Sequence, residues 1–122
     1  MMKALYVEDN PINRLVISKS LKGFCEIKTE ENGFVAIDIA KSEAFDIFIL
    51  DLNLADPKID GFGVLQNLKF KENQKGIYVA LTAYTGKEWE DKCLNAGFDL
   101  YFSKPVDVKK MWQMILEMKA TL

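Results

Sequence analysis

Ile47-Phe48-Ile49-Leu50-Asp51 is an unbroken apolar run closed by a carboxylate. Continuous apolar runs of this kind suit strands buried on both faces, as at the centre of a parallel sheet. Two similar runs stand on either side of it: Ala4-Leu5-Tyr6-Val7 and Ile77-Tyr78-Val79-Ala80-Leu81. Leu100-Tyr101-Phe102 is shorter. Cys25-Glu26-Ile27-Lys28-Thr29 alternates apolar with polar, as a half-exposed edge strand does.

The segments between these runs read as helices. Asn10-Pro11 pairs an N-cap with a first-turn proline. Behind it Ile12, Leu15 and Val16 share one face, which is expected to turn mostly toward the core, and the helix ends near Gly23. Gly33 to Ser42, Gly61 to Glu72 and Gly86 to Ala96 show helical spacing of apolar residues, with Gly97 as a stop signal. Asp107 to Lys119 begins on an N-cap aspartate and carries Met111, Trp112 and Ile115. Trp89 and Trp112 fit core positions of their helices, with a docking role as the alternative. Five repeats of strand then helix predict an α/β fold, a parallel sheet with helices on both faces.

With 122 residues the chain is expected to form a single domain over 1–122. Hydrophobic residues make up 49% and charged residues 28%, a globular balance rather than a disordered one. A net charge of −2 gives no support for nucleic-acid binding or for a polybasic membrane contact. No apolar run approaches the ~18–20 residues of a membrane span. Met1-Met2-Lys3-Ala4-Leu5 runs into acid at Glu8, unlike a signal peptide, so a cytoplasmic location is expected. With no histidine, the chain has neither a Ser-His-Asp or Cys-His catalytic set nor an imidazole metal ligand, and cannot be its own phosphohistidine donor. Cys25 and Cys93, 68 positions apart, match no zinc or CxxC spacing and read as reduced core thiols.

In sheets of this kind ligands bind beyond the carboxyl ends of the strands. Glu8 and Asp9 follow the first strand, Asp51 the third, Thr82 the fourth and Lys104 the fifth. Taken singly, each has an ordinary structural reading: an acidic helix cap, a turn hydroxyl, a solvated lysine. Together they bring three carboxylates, a hydroxyl and an ammonium to one rim. Like charges so close repel, and a divalent cation relieves the conflict. Oxygen ligands without imidazole or thiolate select Mg²⁺ or a similar hard ion, which suggests phosphoryl chemistry. A carboxylate can serve as nucleophile and become an aspartyl phosphate. Asp51, at the end of the central buried strand, is the candidate. Mg²⁺, Lys104 and Thr82 can then take one phosphoryl oxygen each.

The motifs Val7-Glu8-Asp9-Asn10-Pro11-Ile12-Asn13-Arg14, Phe48-Ile49-Leu50-Asp51-Leu52-Asn53, Asp60-Gly61-Phe62, Ala80-Leu81-Thr82-Ala83 and Lys104-Pro105 stand in that order, with 22 positions from Thr82 to Lys104. From Lys3 to Lys119 the chain resembles the receiver domain of two-component response regulators, in a form often seen in hybrid histidine kinases. The resemblance implies a flavodoxin-like three-layer sandwich with strand order 2-1-3-4-5. It implies that Asp51 is the phosphoacceptor, and that Asp9, Asp51 and the backbone carbonyl of Asn53 ligate Mg²⁺, with Glu8 acting through a water. Thr82 would bind a phosphoryl oxygen, Ala83 would keep access clear and Lys104 would pair with the phosphate. Thr82 and Tyr101 would form the switch that moves the surface of helix 4, strand 5 and helix 5. The bond before Pro105 would be cis. The exposed side of the first helix and the loop near Pro105 would receive the partner. Partners would be a histidine kinase or histidine phosphotransfer protein and a downstream protein target of unknown identity. The domain would be a monomer or a phosphorylation-dependent dimer, and its only catalysis would be its own phosphorylation and dephosphorylation. Asn53 and Tyr84 occupy positions that tune phosphoryl lifetime in the family.

Two features depart from the family's common pattern. Leu54-Ala55-Asp56-Pro57-Lys58-Ile59 makes the interval from Asp51 to Asp60 two residues longer, and Glu8 stands where Asp is commoner. Three rival readings have sequence features against them. A haloacid-dehalogenase-like phosphatase needs a second aspartate where Asn53 stands. A flavodoxin-like flavin carrier needs a phosphate-cradling loop where Glu8 and Asp9 stand. A pseudo-receiver would lack part of the five-residue set.

Overall fold

The computed structural model describes residues 1–121. Five strands, β1 (Lys3–Val7), β2 (Glu26–Glu30), β3 (Ile47–Leu50), β4 (Ile77–Thr82) and β5 (Leu100–Ser103), pair in parallel in the order β2-β1-β3-β4-β5. The helices α1 (Pro11–Leu21), α2 (Gly33–Ser42), α3 (Gly61–Leu65), α4 (Lys87–Ala96) and α5 (Val108–Thr121) alternate with them. The expected fold class and strand order are both observed.

Side chains alternate across a strand, so each central strand supplies two cores. Leu5, Val7, Phe48, Leu50, Tyr78 and Ala80 face one layer, with buried residues of α2, α3 and α4. Ala4, Tyr6, Ile49, Val79 and Leu81 face the other, where Leu21 of α1 and Met111, Trp112 and Ile115 of α5 cover them. Every residue of β3 and β4 is buried, which accounts for their unbroken apolar runs. Trp112 is buried and stacks on Phe24. Both cysteines are buried free thiols.

Helix boundaries follow capping chemistry. Asn10 Oδ1 accepts from the amides of Ile12 and Asn13 at 2.9 and 3.0 Å. Asp107 Oδ1 accepts from the Lys110 amide at 3.2 Å. Gly97 closes α4 at φ 120°, a conformation that favours glycine. The segment read as one helix from Gly61 to Glu72 changes character partway. It leaves α geometry after Leu65 and runs as π-helix over Gln66–Lys71.

The first helix departs from the expected orientation. Ile12, Leu15 and Val16 are 70%, 55% and 55% exposed, not turned to the core. The inward stripe is instead Asn13, Arg14, Ile17, Ser18 and Leu21, of which Leu21 is wholly buried. Arg14 explains the rotation. Its Nη1 donates to the backbone carbonyls of Glu8 and Asp9 at 2.7 and 3.0 Å, which draws that side of the helix against the end of β1. Apolar periodicity alone does not say which face turns inward when a polar anchor competes.

Gly61 sits directly behind Asp51. A Cβ there would lie 2.2 Å from the Asp51 carbonyl oxygen and 2.7 Å from Leu52 Cα, both backbone atoms that cannot swing away. Gly61→Ala is therefore expected to lower stability by about 2–3 kcal/mol through forced overpacking. Urea denaturation checks this, and a variant as stable as wild type would contradict it.

Candidate functional site

Strand register brings the site together. Val7 pairs with Leu50, so β1 and β3 end level and their next residues, Glu8 and Asp51, stand side by side. Thr82 pairs with Ser103, and the Lys104 amide donates to the Thr82 carbonyl at 2.7 Å, which carries Lys104 over the same rim. The Lys104–Pro105 peptide is cis. Glu8, Asp9, Asp51, Asn53, Thr82 and Lys104 all line one cleft of about 190 Å³.

The polar contacts are dense. Lys104 Nζ lies 2.9 Å from Asp51 Oδ2 and pairs directly with Glu8 Oε1. Glu8 Oε1 also accepts from the Tyr6 hydroxyl at 3.1 Å, and Oε2 from the Asn10 amide at 3.3 Å. Asp51 Oδ1 accepts from the Asn53 amide at 3.2 Å. Oxygens of Glu8, Asp9 and Asp51 come within 4.8 Å of one another. Three carboxylates face one ammonium, so the cleft carries an excess of negative charge in all-oxygen ligands. That donor set fits a hard divalent cation.

Ionisation divides unevenly between the two buried acids. Burial, and then the neighbouring Glu8, push Asp51 up to about 7. Burial works against Glu8 as well, but hydrogen bonding with Asp51 and Lys104 outweighs it and holds Glu8 down at about 2. The difference follows from partners: the carboxylate of Glu8 gathers donors from Tyr6, Asn10 and Lys104, whereas Asp51 has only Asn53 and a shared Lys104. Burial and the adjacent Glu8 raise Asp9. Burial opposes the charge on Lys104, yet its two carboxylates prevail and raise it.

Both candidate switch residues are tied to the backbone of Tyr84. Thr82 is buried, and its hydroxyl accepts from the Tyr84 amide at 3.1 Å. The Tyr101 hydroxyl donates to the Tyr84 carbonyl. Tyr101 is half-buried, and the Tyr84 ring stacks on Trp89 with centroids 4.5 Å apart. Ala83 is exposed at the mouth of the cleft. The longer loop is anchored rather than loose: Leu54 and Ile59 are buried in the core beside α3. Two contributors had no role on sequence grounds. Tyr6 read only as a buried strand residue, and Arg14 only as part of a motif. Neither has a sequence signal that reveals its hydrogen bonds.

The family described as the response regulator receiver domain matches residues 4–116. The chain is 30% identical to Sensor protein GacS of Pseudomonas syringae pv. syringae over 120 residues, covering 94% of this chain and 13% of that protein. It is 31% identical to Sensor histidine kinase RcsC of Salmonella typhi over 118 residues, covering 93% of this chain and 12% of that one. The chain thus spans roughly an eighth of the length of these relatives. Among solved structures, the Francisella response regulator 1452 receiver domain superposes with a TM-score of 0.88 at 21% identity, with both chains fully covered. The receiver domain of sensor histidine kinase PA1611 from Pseudomonas aeruginosa PAO1, with a magnesium ion coordinated in its active site cleft, gives 0.80 at 26% identity, covering 95% of each chain. Strand order, the acidic rim and the extent of the match agree, and the chain belongs to the response regulator receiver domain family.

Proposed function

We propose that the domain, acting as one unit over 1–122, accepts a phosphoryl group onto Asp51 from the phosphohistidine of a histidine kinase or histidine phosphotransfer protein. The observation that carries this reading is the pairing of Asp51 with Lys104 at 2.9 Å inside a carboxylate cluster. An oxygen of Asp51 forms a bond to phosphorus as the bond from phosphorus to the donor's imidazole nitrogen breaks. Asp9, Asp51 and the Asn53 carbonyl, with Glu8 through a water, would hold a Mg²⁺. When bound, that ion supplies charge neutralisation at a phosphoryl oxygen. Lys104 holds a second oxygen and the Thr82 hydroxyl a third. Turning inward, Thr82 gives up the Tyr84 amide, and Tyr101 follows, shifting the population toward a second arrangement of α4, β5 and α5. That surface addresses a downstream protein, as a monomer or a phosphorylation-dependent dimer. The domain's only catalysis is its own phosphorylation and dephosphorylation.

The exposed side of α1 supports the same reading. Ile12, Leu15 and Val16 form an apolar face, and Val16 continues into a groove with Ile17, Pro105 and Val106 beside Lys104. An amphipathic helix laid there brings a donor histidine to the mouth of the cleft. No described helix is long and apolar enough to cross a membrane. Incubation with acetyl phosphate and Mg²⁺ should add one phosphoryl mass to the intact protein, and a chelator should prevent it. Uptake that survives chelation would overturn the metal dependence.

A further inference from the structure

We infer that Tyr6 is a positioning residue for the acidic cleft: its hydroxyl fixes the Glu8 carboxylate in the orientation that metal binding requires. The inference rests on the proposed Mg²⁺ site and deepens it. Tyr6 and Glu8 are both wholly buried. A buried phenol hydroxyl needs a hydrogen-bond partner, and a buried carboxylate needs several donors. Each supplies what the other lacks, at 3.1 Å. Glu8 directly follows β1, two positions beyond Tyr6, so both side chains lie toward the same face of the sheet. The Tyr6 ring lies in the core beneath α1 and α5, and its hydroxyl reaches up to the end of the strand.

The arrangement answers a problem specific to glutamate. Its longer side chain has one more rotatable bond than aspartate, and Lys104 pulls on the same oxygen, Oε1. The Asn10 amide fixes only Oε2. The Tyr6 hydroxyl approaches from below, out of the core, and prevents the carboxylate from swinging toward the ammonium alone. Outer contacts of this kind hold metal sites in order, and their loss weakens binding by roughly 10–100-fold.

Isothermal titration calorimetry with Mg²⁺ tests this on wild type, Tyr6→Phe, Glu8→Asp and the double variant. Phenylalanine keeps the ring and its packing, and circular dichroism verifies the fold. Tyr6→Phe should weaken Mg²⁺ binding about tenfold, at the low end of such losses. In the Glu8→Asp background the shorter side chain leaves the hydroxyl without its partner. The same substitution should then change affinity by less than about twofold, a coupling that a purely structural tyrosine would not show. Wild-type affinity in Tyr6→Phe, or an equal loss in both backgrounds, overturns the inference while leaving the metal site standing. A wild-type protein that does not bind Mg²⁺ overturns both.

Discussion

Asp51→Asn should abolish phosphoryl uptake from acetyl phosphate and at the same time make the metal-free protein more stable above neutral pH. The two effects have one origin. Asparagine has no anionic oxygen to attack phosphorus, so the rate should fall by at least about 10³-fold, the scale of losing a nucleophile. The stability gain comes from the raised acid. Burial and Glu8 lift Asp51 from an ordinary 3.8 to about 7 in the folded protein. The folded state therefore holds this proton more tightly than the unfolded chain does. Stability contributed by the group falls as pH rises from about 4 to about 7, and above that range the charged carboxylate is a full penalty. Asparagine removes the penalty and still accepts the Asn53 amide. A gain on the order of 2 kcal/mol is expected at pH 8, shrinking to nothing near pH 4. Urea melts at the two pH values measure it. A variant destabilised equally at both would contradict the electrostatic account.

Lys104→Ala should act in the opposite direction on stability. The ammonium is mostly buried and faces two carboxylates that are almost wholly so. Removing it leaves Glu8 and Asp51 side by side with no cation between them. Losing one member of a buried ion pair costs about 3–5 kcal/mol, because the remaining charge is left unpaired. Here a proton on Asp51 can relieve part of the cost, so the loss should be greater at pH 8 than at pH 5. Mg²⁺ should restore part of it, since a ligand that binds only the folded state stabilises by mass action. Phosphoryl uptake should still fall about 10²–10³-fold, as for other lost electrostatic contacts to a transferring group. A Lys104→Ala protein as stable as wild type at pH 8 without metal would show that the pair is not the organising contact of the cleft.

Much of this site was legible because its parts obey strong local rules. A strand buried on both faces must be apolar throughout, so Ile47–Leu50 and Ile77–Leu81 marked the sheet centre, and the polar residues that ended them marked the rim. Asn10 and Asp107 capped helices where capping chemistry expects them. What escaped depends on three-dimensional competition. The apolar face of α1 turns outward because Arg14 is held by two backbone carbonyls, a contact between residues that no periodicity encodes. The π-helical turns after Leu65 follow no apolar or capping pattern. The two-residue-longer loop is pinned by Leu54 and Ile59, which pack into the core near Gly33 and α3. Spacing marked Glu8 as acidic but did not reveal its direct contact with Lys104, nor the Tyr6 hydroxyl below it.

One carboxylate, that of Asp51, should carry the phosphoryl group. An aspartyl phosphate is an acyl phosphate, which borohydride reduces to the corresponding alcohol, leaving homoserine in place of the aspartate. The direct measurement is to phosphorylate the protein with acetyl phosphate and Mg²⁺, reduce it, and map the peptides by mass spectrometry. Homoserine at position 51, absent without phosphodonor or with chelator, is the expected result. Reduction at Asp9 or another carboxylate, with Asp51 recovered intact, would contradict the assignment.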